Sequence, residues 1–148
     1  MDQRQIQGVN QPIEPRSGSQ ETLLSQEGSP ASSPLGCLYT TTPSREEAYR
    51  LGRTLVEEGL IACANILENM QAIYRWEGSV ETTEESVLIC KTSTSLVAAV
   101  AQRLKDLHSY ECPCILLLSV QAADPAFSQW VDANVKTSTA PESFSHSE

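Results

Sequence analysis

Aromatic residues are scarce in this chain: two Phe, two Trp and four Tyr make up 5% of its 148 residues. Basic residues are scarce as well, with ten Lys/Arg against nineteen Asp/Glu and a formal net charge of −9. A nucleic-acid binder needs cationic side chains to neutralise phosphates and aromatic platforms for its bases, so no nucleic-acid partner is expected. The same sign of charge argues against an anionic membrane surface. Apolar runs are short. None approaches the roughly 20 residues that span a bilayer, and residues 1–30 hold no run longer than Leu23-Leu24 where a secretory leader would have its apolar segment. A cytoplasmic protein with reduced thiols and no membrane partner is therefore expected. Its five cysteines, an odd number, cannot close into a complete set of intramolecular disulfides. No Gly-rich phosphate loop and no repeat at solenoid spacing is found.

What is present divides into three stretches. Residues 1–34 carry four prolines and many Gln, Ser and Gly, and residues 136–148 are similar in character. Neither has enough apolar surface to offset the entropy of ordering, so both are expected to be disordered tails. The domain is placed at 35–135, with seven Lys/Arg against thirteen Asp/Glu. A domain of roughly a hundred residues folds alone with modest stability and gains from association.

Within that domain, LGCLYTTT (35–42) reads as a strand ended by Pro43. Ser44 followed by Glu47 is a capping box, Ala48, Leu51, Leu55 and Val56 repeat at helical spacing, and Gly59 is the expected stop. The apolar run 60–67 predicts a buried strand, Glu68-Asn69 a turn, Met70–Trp76 another strand, and Glu77-Gly78-Ser79 a second turn. A further strand is expected at 86–92, or from as early as Val80. A helix capped by Thr94 or Ser95 follows and ends near His108; then come a last core strand at 114–120 and a short helix opened by Asp124 or Ser128 that contains Trp130. This order predicts an α+β fold, a ferredoxin-like βαββαβ sandwich with an added C-terminal helix. Helices would cover one face of the sheet. Ile66, Ile73 and Tyr74 are expected on the other, where self-association is the simplest cover.

Several segments, taken in order, resemble one family: Thr41-Thr42-Pro43-Ser44, Leu60-Ile61-Ala62-Cys63-Ala64-Asn65-Ile66, Ile73-Tyr74-Arg75-Trp76-Glu77-Gly78, Lys91-Thr92, His108-Ser109-Tyr110-Glu111-Cys112-Pro113 and Trp130. Their spacing is similar to that of CutA divalent-cation-tolerance proteins over about 37–132. The resemblance implies a non-enzymatic homotrimer, similar in architecture to PII proteins, that binds copper or other divalent cations in a response to metal ions. A second implied reading is a PII-like trimer that takes a small-molecule effector or a protein partner between subunits. Two positions depart from the family pattern: Ser109 stands for a Pro, and Cys114 stands for the Glu after Pro113. A bacterial copper site does not carry over intact, because Leu107 precedes His108 and Thr40 falls near the strand-1 Cys position.

The candidate metal residues are His108, Cys112, Cys114, Cys63 and Glu111. Thiolate and imidazole suit copper, and thiolate favours its reduced ion. Each also has a structural reading: Cys63 and Cys90 as small buried hydrophobes, His108 as a helix C-terminal cap, and Cys112-x-Cys114 as packing residues, since zinc would want four ligands. Any copper binding is expected to depend on the Cys112–Cys114 loop and His108 more than on the acidic surface. Glu77, Glu85 and Lys91 match charged family positions. With Tyr74, Trp76, Tyr110 and Trp130 they are candidates for an inter-subunit pocket or interface. Enzymes such as acylphosphatases share the fold, but that chemistry needs a phosphate cradle with a positioned Arg and Asn. Asn65 instead sits within a strand, and no nucleophile–base–orienter set is evident.

Overall fold

Local chemistry at Pro43-Ser44 turns the first strand into the first helix. The protein's structure, a computed structural model, describes residues 35–137; residues 1–34 and 138–148, where the expected tails fall, lie outside them. β1 (Leu35–Thr42) buries Gly36, Leu38, Thr40 and Thr42 on one side. The Ser44 hydroxyl accepts the Glu47 N–H at 3.2 Å and so caps α1 (Arg45–Glu57). Ala48, Leu51, Gly52 and Leu55 form the buried stripe of α1. At its end Gly59 has φ +69°, its N–H donates to Val56, and the Leu60 N–H reaches back to Leu55. These are the paired bonds of a Schellman stop, available to glycine without a Cβ clash.

The next segment differs from expectation. Leu60–Ala62 belong to the turn after α1, and β2 runs without a break from Cys63 to Trp76. The turn expected at Glu68-Asn69 is a β-bulge. Leu67 pairs with Val87 and Met70 with Glu85, so Glu68 and Asn69 face the single residue Ser86, and Asn69 takes φ 58°. A true turn follows at Glu77-Gly78, where φ values of 46° and 85° give the two-residue hairpin its type I′ character. β3 (Ser79–Ser93) returns along β2. A 3₁₀ turn (Thr94–Leu96) leads into α2 (Val97–Leu107). Leu96 holds the cap position without a side-chain bond, where Thr94 or Ser95 was expected. β4 spans Ile115–Ser119, and Asp124 rather than Ser128 caps α3 (Pro125–Ala133), accepting the Phe127 N–H at 3.0 Å.

The four strands are antiparallel in the order β2-β3-β1-β4, the ferredoxin-like arrangement. Cross-strand rows Ala64–Cys90–Leu38–Leu117 and Ile66–Leu88–Thr40–Ile115 fall on the helix side. There Leu38, Leu88 and Cys90 join Ala48, Leu51, Leu55, Val100 and Leu104 in one fully buried core. Ile66, expected on the uncovered face, therefore lies on the covered one, packed against this core. Rows Cys63–Lys91–Cys37–Leu118 and Asn65–Ile89–Tyr39–Leu116 occupy the opposite face. α3 packs against β3, and the backbone N–H of Lys136 donates to Gly59 at 2.8 Å.

Candidate functional site

The loop between α2 and β4 begins with His108, whose side chain is wholly buried. Its Nδ1 accepts the Tyr110 backbone N–H at 3.0 Å, which leaves the proton on Nε2, and Nε2 donates to the Thr41 carbonyl at 2.8 Å. Both ring nitrogens are thereby used. His108 is the C-cap of α2, its backbone N–H donating to Leu104 at 2.9 Å, and its side chain adds a cross-link from the end of α2 to the end of β1. The metal-ligand role expected of it would require one of these bonds to break.

The following residues are tied down by two carboxylates. Glu47 Oε1 accepts the Ser109 N–H at 2.9 Å and Oε2 accepts its hydroxyl at 2.8 Å. Sequence reasoning took Glu47 only as half of a capping box; the side chain instead spans 62 positions to hold this loop. No local signal marks that partner. Ser109, a departure from the family pattern, supplies two of these hydrogen bonds, where a Pro would supply no N–H donor and no hydroxyl. Further along, the Tyr110 hydroxyl donates to Glu85 at 2.9 Å. Burial, then the Glu85 carboxylate, pushes the Tyr110 hydroxyl up to about 12. Tyr110 and Glu85, both expected near a polar pocket, are brought together.

The remaining candidates stand apart. Cys63 opens β2 at one edge of the sheet, whereas Cys112 and Cys114 precede β4 at the other. Two strands intervene, a separation of roughly 14 Å at ~4.8 Å per strand. Glu111 is exposed, as are Cys112 and Cys114. Among the described residues no group of three or more His, Cys, Asp and Glu side chains converges as a metal site within one protomer would require. Lys91 sits between Cys37 and Cys63 in its cross-strand row and donates to the Asn65 side-chain carbonyl. Burial raises the Cys37 thiol and pushes the Cys90 thiol up to about 12, so neither is a ready thiolate near neutral pH. Tyr74, Trp76 and Glu77 lie at the hairpin tip, and Trp130 stacks on Phe127 of α3 with ring centroids 6.0 Å apart.

Two surface features were not expected. A groove of about 420 Å³ lies between Tyr49, Gly52, Arg53, Val56 and Glu57 of α1 and Ala64 and Ile66 of the edge strand β2. The other edge strand, β4, exposes Leu116, Leu117 and Leu118 in succession. A continuous apolar segment signals burial whichever face buries it, so the sequence predicts a core strand where one protomer leaves these side chains exposed.

With this geometry in hand, known proteins supply a comparison. Residues 37–134 match the family model described as CutA1 divalent ion tolerance protein. A rice relative, "Protein CutA 1, chloroplastic", is 31% identical over 83% of this chain and 70% of its own length. The CutA1 crystal structure from Ehrlichia chaffeensis superposes with a TM-score of 0.70 at 36% identity, covering 72% of this chain and all of that one. A structure from Archaeoglobus fulgidus, described as a periplasmic divalent cation tolerance protein CutA, gives a TM-score of 0.66 at 35% identity over 69% of this chain and 99% of its own.

Proposed function

The chain belongs to the CutA1 divalent ion tolerance protein family, and from that premise we propose that it is a non-enzymatic homotrimer that binds copper or another divalent cation at sites completed between copies. One observation carries the reading: the apolar surface that a single protomer leaves open. Ile73, Trp76 and Val80 on the β2–β3 arm are 72%, 63% and 65% exposed, and β4, an edge strand of the sheet among the described residues, adds Leu116–Leu118. An exposed apolar edge strand is a template for pairing with another chain. A second copy would also bring new donors to candidate ligands that lie too far apart within one protomer. Relatives named for the chloroplast and the periplasm show that the fold serves more than one compartment; five free thiols in this chain suit a reducing one such as the cytoplasm.

Native mass spectrometry of the full chain with and without Cu(I), Cu(II) and Zn(II) tests both halves of the proposal. The expected result is a trimer mass that gains a whole number of ions per protomer. A monomer at micromolar concentration with no retained metal would overturn it. The groove beside α1 supports a second reading, a small-molecule effector bound at subunit boundaries, since its volume lies in the range of ligand sites and its β2 wall is a free edge.

A further inference from the structure

The groove beside α1 is walled by a helix on one side and by an outermost strand of the sheet on the other. Tyr49, Gly52 and Val56 of α1 and Ala64 and Ile66 of β2 give it an apolar lining, and Arg53 and Glu57 give it a polar rim. Tyr49 and Val56 stay 54% and 43% exposed, so the described residues do not close it. As an edge strand, β2 also turns alternate backbone N–H and C=O groups away from β3. A helix beside an edge strand suits an extended segment that binds by adding a strand, with backbone bonds to the edge and alternate side chains in the groove.

The last described residues bring the chain to this groove. Val135 packs against the core, and the Lys136 N–H donates to the Gly59 carbonyl at 2.8 Å, in the turn that joins α1 to β2. The chain therefore passes beyond Thr137 where the two walls of the groove meet. Residues 138–148, STAPESFSHSE, lie past the family model, which ends at 134. Their sequence has one regularity: Glu142, Phe144 and His146 alternate with Ser143, Ser145 and Ser147. A period of two is the pattern of a strand with unlike faces. Phe144 is the only large apolar side chain after Val135. The groove runs about 10 Å along α1 from Val56 to Tyr49, at ~1.5 Å per residue, and the eight residues from Lys136 to Phe144 reach up to about 26 Å.

From this placement we propose that residues 142–146 bind in the groove as an added strand, parallel to Cys63–Leu67 of β2 in the same protomer, with Phe144 set between Val56, Ala64 and Ile66. Residues 137–141 would cross from Gly59 to the edge; Pro141, which has no N–H to donate, stands just before the pairing residues. Glu142 falls on the same side as Phe144 and is opposite in charge to Arg53, whose Nε donates to Glu57 at 2.6 Å. Composition alone predicts disorder for this stretch because it has little apolar surface of its own to bury; a groove in the same molecule supplies that surface. Covalent attachment holds the segment at an effective concentration on the order of millimolar, so a contact too weak to form between separate molecules is occupied. The site lies on the body of β2, before the bulge at Glu68-Asn69, and leaves the rest of the hairpin to contacts between copies. The proposal is independent of the metal reading, and under it a small effector enters this groove only by displacing the segment.

Hydrogen exchange of the full chain tests the proposal. The amides of Cys63–Leu67 that face away from β3 are followed in wild type, Phe144→Ser, Phe144→Leu and Val56→Glu. Val56 lies outside the buried core, so its variant keeps the fold. Exchange at those amides should quicken about tenfold in Phe144→Ser and Val56→Glu, the factor by which a segment docked roughly nine-tenths of the time slows it. Phe144→Leu, which keeps an apolar side chain, should exchange as wild type does. In parallel, a photoreactive benzoyl-phenylalanine placed at position 144 should cross-link to peptides containing Val56 or Ile66 of its own chain, as read in a mixture of isotopically light and heavy protein. Equal exchange in wild type and Phe144→Ser would overturn the proposal. So would cross-links that join light chains to heavy ones, which would assign the groove to another copy.

Discussion

The β2–β3 hairpin lives in two environments. From Cys63 to Leu67 and from Ser86 to Ser93 it lies in the body of the sheet, with Leu88 and Cys90 fully buried beneath the helices. Beyond the bulge at Glu68-Asn69 the same two strands continue as an arm. It ends in Trp76, Glu77 and Gly78, and its apolar residues face outward. Backbone pairing is alike in both halves, so hydrogen bonding does not distinguish them. What differs is side-chain burial: the body contributes to the fold of one protomer, and the arm offers surface to something else. The bulge marks the boundary.

Substitutions can probe this division. The largest loss of stability is expected in the body. Leu51→Ala empties a fully buried site in α1 and should cost about 2–5 kcal/mol in urea unfolding. An unchanged midpoint would mean that the core relaxes to fill the space. At the boundary, Tyr110→Phe removes the hydroxyl that donates to Glu85, and about 0.5–1.5 kcal/mol should be lost. Its pH signature has a definite sign. The folded hydroxyl ionises near 12, above its ordinary value of 10, so the fold binds the proton more tightly than the unfolded chain does. The contribution is complete below pH 10 and disappears as pH climbs towards 12. The tyrosinate absorbance of wild type minus that of Tyr110→Phe should rise in that upper range; a rise at pH 10 would show that the hydroxyl is free. The smallest effect on the protomer belongs to the arm. Trp76→Ser should change unfolding free energy by no more than about 0.5 kcal/mol while lowering the mass seen by light scattering. If mass is unaffected, the arm is not a contact between copies.

Much of this fold was legible because its signals are local. Ser44, Gly59, Gly78 and Asp124 act on backbone groups within a few residues, and each functions as its residue type predicts. The errors arose where local chemistry has two outcomes. Asn69 adopts positive φ in a bulge as readily as in a turn, and only the partner strand, with Ser86 alone opposite two residues, decides between them. Ile66 was put on the wrong face for a related reason. Alternation assigns residues to two sides, but a bulge breaks the count along the strand, and nothing in β2 itself says which side the helices cover. The candidate site was less legible still. His108 and Glu47 were both noticed, yet their partners, Thr41 and Ser109, lie 67 and 62 positions away. The distance between Cys63 and the Cys112–Cys114 loop follows from strand order, which motif spacing does not encode.

The two edges of the sheet are unlike each other: β2 is fourteen residues long and bulged, β4 five residues long and aliphatic. A contact that joins the β4 edge of one copy to the β2 side of the next is heterologous, because each molecule would present both a head and a tail. Heterologous contacts have no intrinsic stopping point. Repeated with a rotation that closes, they yield a ring of fixed number; repeated with any other, they yield a growing fibre. The angle at which the arm leaves the sheet, set where Glu68 and Asn69 oppose Ser86, would then select between a soluble assembly and an insoluble one.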